Sequence, residues 1–142
     1  MTGISRRSLG RTGIEVSELG LGTWPLGGPG PNGNYGDITE QQAMAVLDTY
    51  VDAGANFIDT ARVYNQSESH IGKYLKRSGN RDQLILASKT LGGAKAETLP
   101  KMELDLETSL RELGTDYLDI YFLHFPPDDP DLMEQALEKM VS

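Results

Sequence analysis

Apolar residues along this chain alternate between short continuous runs and stripes at helical spacing. The runs are Leu19-Gly20-Leu21, Phe57-Ile58, Leu84-Ile85-Leu86-Ala87 and the stretch from Tyr117 to Leu123, broken only by Asp119. Runs this short, bounded by polar residues or turn formers, read as buried strands. Between them lie the stripes. Ala43, Met44, Val46, Leu47, Tyr50 and Val51 follow a capping box formed by Thr39 and Gln42, and Gly54 stops that helix. A second helix is predicted over Ser67–Lys76. A third runs from Pro100 to Leu113, with Leu106, Leu110 and Leu113 on one face and Gly114 as its stop. A fourth follows Pro130 and keeps its periodicity to the last residues.

The predicted strands are Glu18–Trp24, Phe57–Asp59, Leu84–Lys89 and Tyr117–His124. Ahead of them, Ser5 to Gly20 holds two short stretches around Gly10-Arg11-Thr12-Gly13, whose glycines suit a hairpin turn. Pro25 to Asp37, rich in Gly, Pro and Asn, is too long for a plain connection and is expected to lie over a binding face. Strands alternating with helices imply a parallel sheet with right-handed crossovers. The repeat of about 30 to 35 residues matches one eighth of a barrel of ~250 residues. The fold class is therefore α/β: an N-terminal β-hairpin and about four βα units, the first half of a (β/α)8 TIM barrel.

Composition narrows the function. With 142 residues, 38% hydrophobic and 24% charged, the chain is long enough for a real core. A net charge of −8 argues against nucleic acid and offers no basic patch for an anionic membrane. There is no cysteine, which excludes thiolate metal sites. Arg6, Arg7 and Arg11 have no apolar segment behind them, and no apolar run reaches membrane-spanning length, so a cytoplasmic protein is the expectation.

Asp59, Lys89 and His124 each end a predicted strand, one βα unit apart, and Tyr64 follows Asp59 by five residues. Neighbouring strand ends in a barrel share one rim, so the four side chains can converge there. The chemistry suits proton donation. An ammonium at Lys89 would stabilise the phenolate of Tyr64, Asp59 would orient the lysine, and His124 would hydrogen-bond an oxygen held against the tyrosine. None of these groups supplies a reducing equivalent, so a hydride would have to come from a cofactor. Taken singly, each has a blander reading, as a solvated loop charge, a rim aromatic or a core histidine. Four of them at one-unit spacing favour a site. His70, beside Ile71 and near Tyr74, reads as packing. Asp128, Asp129 and Asp131 read as a solvated turn and helix N-terminus. Gly27-Gly28 form no GxGxxG after a strand, so no Rossmann site is expected.

LGLGTW at Leu19–Trp24, DTARVY at Asp59–Tyr64, Ser67-Glu68 with Ile71-Gly72, ASK at Ala87–Lys89 and GTDYLDIYFLHFP from Gly114 resemble, in order, the signatures of the aldo-keto reductase family. The resemblance covers essentially the whole chain. It implies a (β/α)8 barrel with a hairpin plugging its floor, NADPH as the usual cofactor with NADH not excluded, and reduction of small aldehyde or ketone carbonyls. The family's catalytic residues map onto Asp59, Tyr64, Lys89 and His124. Gly22, Thr23 and Trp24, with Asp59, match the cofactor-binding segment near the nicotinamide. The loop Asn65-Gln66 departs from the family in lacking a glycine often found there, which bears on the substrate pocket.

The family's chains run to about 300 residues, in keeping with eight units. The expectation is therefore that residues 1–142 are the N-terminal portion of one barrel domain, truncated in the fourth helix. Such a half would self-associate or pair with a missing C-terminal half, and would have little activity alone. A rival reading on the same scaffold is a non-catalytic, cofactor-sensing regulatory subunit, like the family's potassium-channel β-subunits. A metal-dependent hydrolase would want clustered histidines, whereas His70 and His124 fall on different elements.

Overall fold

A computed structural model describes residues 4–142. The chain begins with an antiparallel hairpin, β1 (Arg6–Ser8) and β2 (Glu15–Ser17). Its turn contains Gly10 and Gly13, both at positive φ. Four strands then form one parallel sheet: β3 (Gly20–Gly22), β6 (Phe57–Asp59), β7 (Ile85–Thr90) and β8 (Ile120–Leu123), in the order β3-β6-β7-β8. Between β3 and the first helix lies a small antiparallel hairpin, β4 (Pro29–Gly30) and β5 (Gly33–Asn34). The helices are α1 (Glu40–Asp52), α2 (Ser67–Ser78), α3 (Lys101–Leu113) and α4 (Pro130–Val141). Strand order equal to chain order, with a helix after each of the last three strands, is the pattern of successive barrel units.

The core lies between sheet and helices. Ile58 of β6 and Leu86 of β7 are fully buried against Ala43 and Leu47 of α1, Ile71 and Leu75 of α2, and Leu113 of α3. The predicted capping box at Thr39 and Gln42 is present, with Gln42 N–H donating to Thr39 Oγ1 and Thr39 N–H to Gln42 Oε1. Gly54 (φ 87) and Gly114 (φ 64) turn the chain out of α1 and α3. Gly72 serves packing instead: a Cβ there would stand 2.1 Å from the Glu112 carbonyl oxygen, so α2 and α3 touch backbone to backbone.

The hairpin β1–β2 is fastened at the amino end of β6. Asn56 is buried, its Oδ1 accepting from Ser17 N–H at 2.7 Å and its Nδ2 donating to Glu15 O at 3.0 Å. Tyr50 Oη reaches both Leu19 O and Phe57 O. The hairpin thus closes the end opposite the site, as expected for a floor plug.

Several boundaries differ from the sequence reading. The first barrel strand is three residues long and not buried, because β3 pairs only with β6 and forms a sheet edge; Leu19 is exposed. Trp24 leaves the strand and opens a short 3-10 turn, Trp24–Gly27. The strand predicted to end at Lys89 continues to Thr90, which pairs with Leu123. Tyr117 and Leu118 stay outside β8. Arg81 holds Tyr117 O at 3.0 Å and Asp119 Oδ2 at 2.8 Å, and stacks over the Tyr117 ring, pinning this lead-in beneath the sheet. Among the described residues no helix is long and apolar enough to cross a membrane.

Candidate functional site

The carboxyl ends of β6 and β7 stand side by side, which brings Asp59 to Lys89. Lys89 Nζ donates to Asp59 Oδ1 at 2.5 Å and to Thr60 O at 2.8 Å. Two of the three ammonium protons are thereby fixed, and one remains. The side chain of Lys89 is only 15% exposed, so the pair is shielded from water on most sides. The ammonium lies 5.1 Å from the centroid of the Tyr64 ring.

His124 follows β8 and is held by its backbone N–H on Thr90 O at 3.1 Å. Its ring meets Tyr64 edge-on, 5.7 Å between centroids, and stacks on Phe125 at 4.5 Å. Its Nδ1 is buried without a hydrogen-bond partner. Burial, reinforced by the Lys89 ammonium, pulls the imidazole below the usual histidine range, while Asp59 opposes that pull more weakly. At neutral pH the ring is therefore neutral, one nitrogen donating and the other accepting. All four residues singled out from the sequence thus share one rim.

A cavity of about 390 Å³ opens on this rim, lined by Trp24, Tyr35, Val63, Tyr64, His124 and Phe125. Tyr35 comes from just beyond β5 and stands 5.2 Å from Trp24 and 6.3 Å from Tyr64, centroid to centroid. The Gly- and Pro-rich segment after β3 therefore does lie over the site.

Of the cofactor candidates, Gly22 is exposed, with nothing within 4 Å of where a Cβ would be, and Trp24 is also exposed. Thr23 is fully buried: its hydroxyl donates to Asp59 O at 2.8 Å and accepts from Ser67 Oγ at 2.7 Å. Its side chain is scaffold, joining β3, β6 and α2, and its backbone is engaged as well, the N–H donating to Asp59 O at 2.9 Å and the carbonyl accepting from Leu26 N–H at 2.9 Å. The open edge at Gly22, the exposed indole and the unpaired His124 Nδ1 beside Lys89 fit a flat, polar-edged ring at the strand ends.

The roles of other polar groups near the site escaped sequence reasoning. Glu68, a first-turn residue of α2, is 1% exposed, paired with Arg62 and accepting from Ser88 Oγ at 2.7 Å. Asp105 of α3 accepts from Thr90 Oγ1 and from the N–H groups of Leu91 and Gly92, shaping the loop after β7. The Thr60 carbonyl that holds Lys89 has no side-chain signature. His70 packs as expected, 4% exposed with Nδ1 against Leu26 O at 2.8 Å. Asp129 caps α4 through Asp131 N–H, in the solvated turn anticipated for that acidic run.

A hairpin, parallel βα units in sequential order and charged groups gathered at the strand ends define the first half of a (β/α)8 barrel with a rim site. The sequence model of the Aldo/keto reductase family matches residues 18–142, and the chain belongs to that family. It is 39% identical to aldo-keto reductase YhdN of Bacillus subtilis, an alignment covering 94% of this chain and 41% of that protein. Among solved structures, aldo-keto reductase AKR11C1 from Bacillus halodurans in its holo form superimposes with a TM-score of 0.73 at 33% identity, over 96% of this chain and 46% of the other. The aldo-keto reductase from Klebsiella pneumoniae in complex with NADPH gives a TM-score of 0.67 at 34% identity, over 91% and 43%. The chain thus spans about half or less of the relatives it matches.

Proposed function

We propose that this sequence forms the catalytic half of an NADPH-dependent reductase of small aldehydes or ketones, with Tyr64 as the proton donor. The observation that carries the reading is the placement of Lys89, bonded to Asp59 and 5.1 Å from the Tyr64 ring, with His124 at the ring's edge.

Each residue then has a role that follows from its surroundings. A substrate carbonyl held in the cavity presents its oxygen to Tyr64 Oη and His124. As that oxygen becomes an alkoxide, Tyr64 Oη gives up its proton, and the Lys89 ammonium stabilises the phenolate left behind. Asp59 and Thr60 O keep Lys89 in place. The neutral His124 donates a hydrogen bond without adding a second positive charge. Trp24, Tyr35 and Phe125 form the aromatic walls against which the substrate would lie. Gly22, Trp24 and Asp59 would hold the nicotinamide end of NADPH, with buried Thr23 bracing them from beneath; the chemistry of that group is to supply the hydride. Support for that cofactor comes from the Klebsiella relative, which was solved with NADPH.

We further infer that residues 1–142 are the N-terminal portion of a single barrel domain, the edges at β3 and β8 being where further strands join. The test of the chemical reading is Tyr64→Phe in the full-length protein. It keeps the ring and removes the proton, so aldehyde reduction should fall by at least ~10²-fold, the usual worth of a general acid. NADPH affinity, followed by fluorescence titration, should stay near wild type. Near-normal turnover would overturn the assignment.

A further inference from the structure

We propose that Asn65 is a positioning residue for the substrate groove, latching the β4–β5 hairpin to the loop after Tyr64 and so setting Tyr35 as one wall. The groove's occupant rests on the reductase reading; the latch does not.

Asn65 is the one non-glycine residue at positive φ (43°) among the described residues. Asparagine tolerates this left-handed conformation better than most other side chains. A glycine, however, could not do what the side chain does. The Asn65 Nδ2 donates to Gly28 O at 3.1 Å and to Gly33 O at 2.9 Å, while Oδ1 accepts from Asn32 N–H at 3.2 Å. Two carbonyls and one N–H converge on the amide, so only one orientation of it satisfies all three. The hairpin is built to receive it. A Cβ on Gly30 would stand 2.5 Å from Asn65 Cγ, and one on Gly27 would stand 2.4 Å from Tyr64 O. Asn32 Nδ2 adds a bond to Val63 O at 3.2 Å.

The residues Asn65 grips are those that hold Tyr35. Tyr35 Oη donates to Asn32 O at 2.7 Å, and Tyr35 N–H donates to Gly28 O at 3.1 Å. The ring so fixed packs against Trp24 and faces the edge of Tyr64. One amide therefore joins the loop carrying the proposed proton donor to the aromatic wall opposite it. Releasing that amide frees Tyr35 and opens the groove, leaving the β6–β7 pair of Asp59 and Lys89 in place.

Trp24 is the only tryptophan in residues 1–142, so in this 142-residue chain its emission reports the packing of Tyr35 directly. Asn65→Gly keeps the positive φ and deletes the amide. Expected are a red-shifted Trp24 emission and easier quenching by acrylamide, both matching Tyr35→Ala. The double variant should add nothing to either single one, as for two residues acting through one contact. With a bulky aryl aldehyde, Asn65→Gly in the full-length protein should raise KM at least about tenfold, with the change in KM rather than kcat, as for a lost pocket wall. Asn65→Asp keeps the acceptor and loses both donors, and should behave alike; it serves in place of Asn65→Gly if that variant melts early by circular dichroism. Wild-type emission in the folded variant, or additive effects in the double variant, would overturn the latch. If even the wild type reduces no carbonyl, the reductase reading fails while the emission still decides the latch.

Discussion

His124 carries the clearest pH signature of any single residue. Its folded-state value is depressed by burial and by Lys89, so the native protein prefers the neutral ring, whereas the unfolded chain titrates near the ordinary ~6.5. This contribution to stability is intact above the unfolded value and is lost as pH falls through it towards the folded one. Urea midpoints should therefore drop on acidification through that window, and His124→Gln should flatten the drop. Glu68 makes a second prediction. It is buried against Arg62 and Ser88, so Glu68→Ala should cost about 3 kcal/mol, the low end for breaking a buried pair, because Arg62 keeps partial access to water. Denaturant titration would read it. Legibility at this scale depends on where the information resides. Asp59, Lys89 and His124 were legible because strand ends are easy to locate and charge is rare there. Glu68 looked like an ordinary first-turn carboxylate, and nothing local announces that Ser88 of another strand will reach it. Asn65 depends on a backbone dihedral angle, and the Thr60 carbonyl is invisible to any reading of side chains.

Elements were legible to within a few residues wherever caps mark them. Thr39 with Gln42, Gly54 and Gly114 each act where turn chemistry puts them. Strand ends were less faithful, because pairing decides them: Arg81 takes Tyr117 out of β8, and the edge position of β3 leaves it short and exposed. The Ile71-Gly72 signature acquires a physical reason at this scale. α2 crosses α3 so closely that a methyl group at residue 72 would stand 2.1 Å from Glu112 O. Gly72→Ala should therefore destabilise the fold by about 2 kcal/mol through overpacking, despite alanine's better helix propensity. A raised thermal midpoint in that variant would show that the two helices can separate at no cost.

For the whole molecule, the sheet presents two strand edges, β3 and β8, and leaves Leu19 and Trp24 exposed beside the first and Phe122 and Phe125 beside the second. Exposed parallel edges and apolar surface favour association. Sedimentation of the isolated 142-residue chain should accordingly depend on concentration, and a monomer up to high concentration would argue against open edges. The parallel layering was legible because the alternation of runs and stripes dictates it; the hairpin β4–β5 was not, since two-residue strands leave no period to read. What the layering achieves is convergence, with three consecutive strand ends and one loop delivering a carboxylate, an ammonium, an imidazole and a phenol to one rim. The central claim is that Lys89 and Tyr64 act there as a unit. A double-mutant cycle on aldehyde reduction in the full-length protein tests it most directly, using Tyr64→Phe, Lys89→Met and the pair. If the ammonium works by stabilising the Tyr64 phenolate, the double variant should be no slower than Tyr64→Phe alone. Losses that multiply across the two sites would contradict the account.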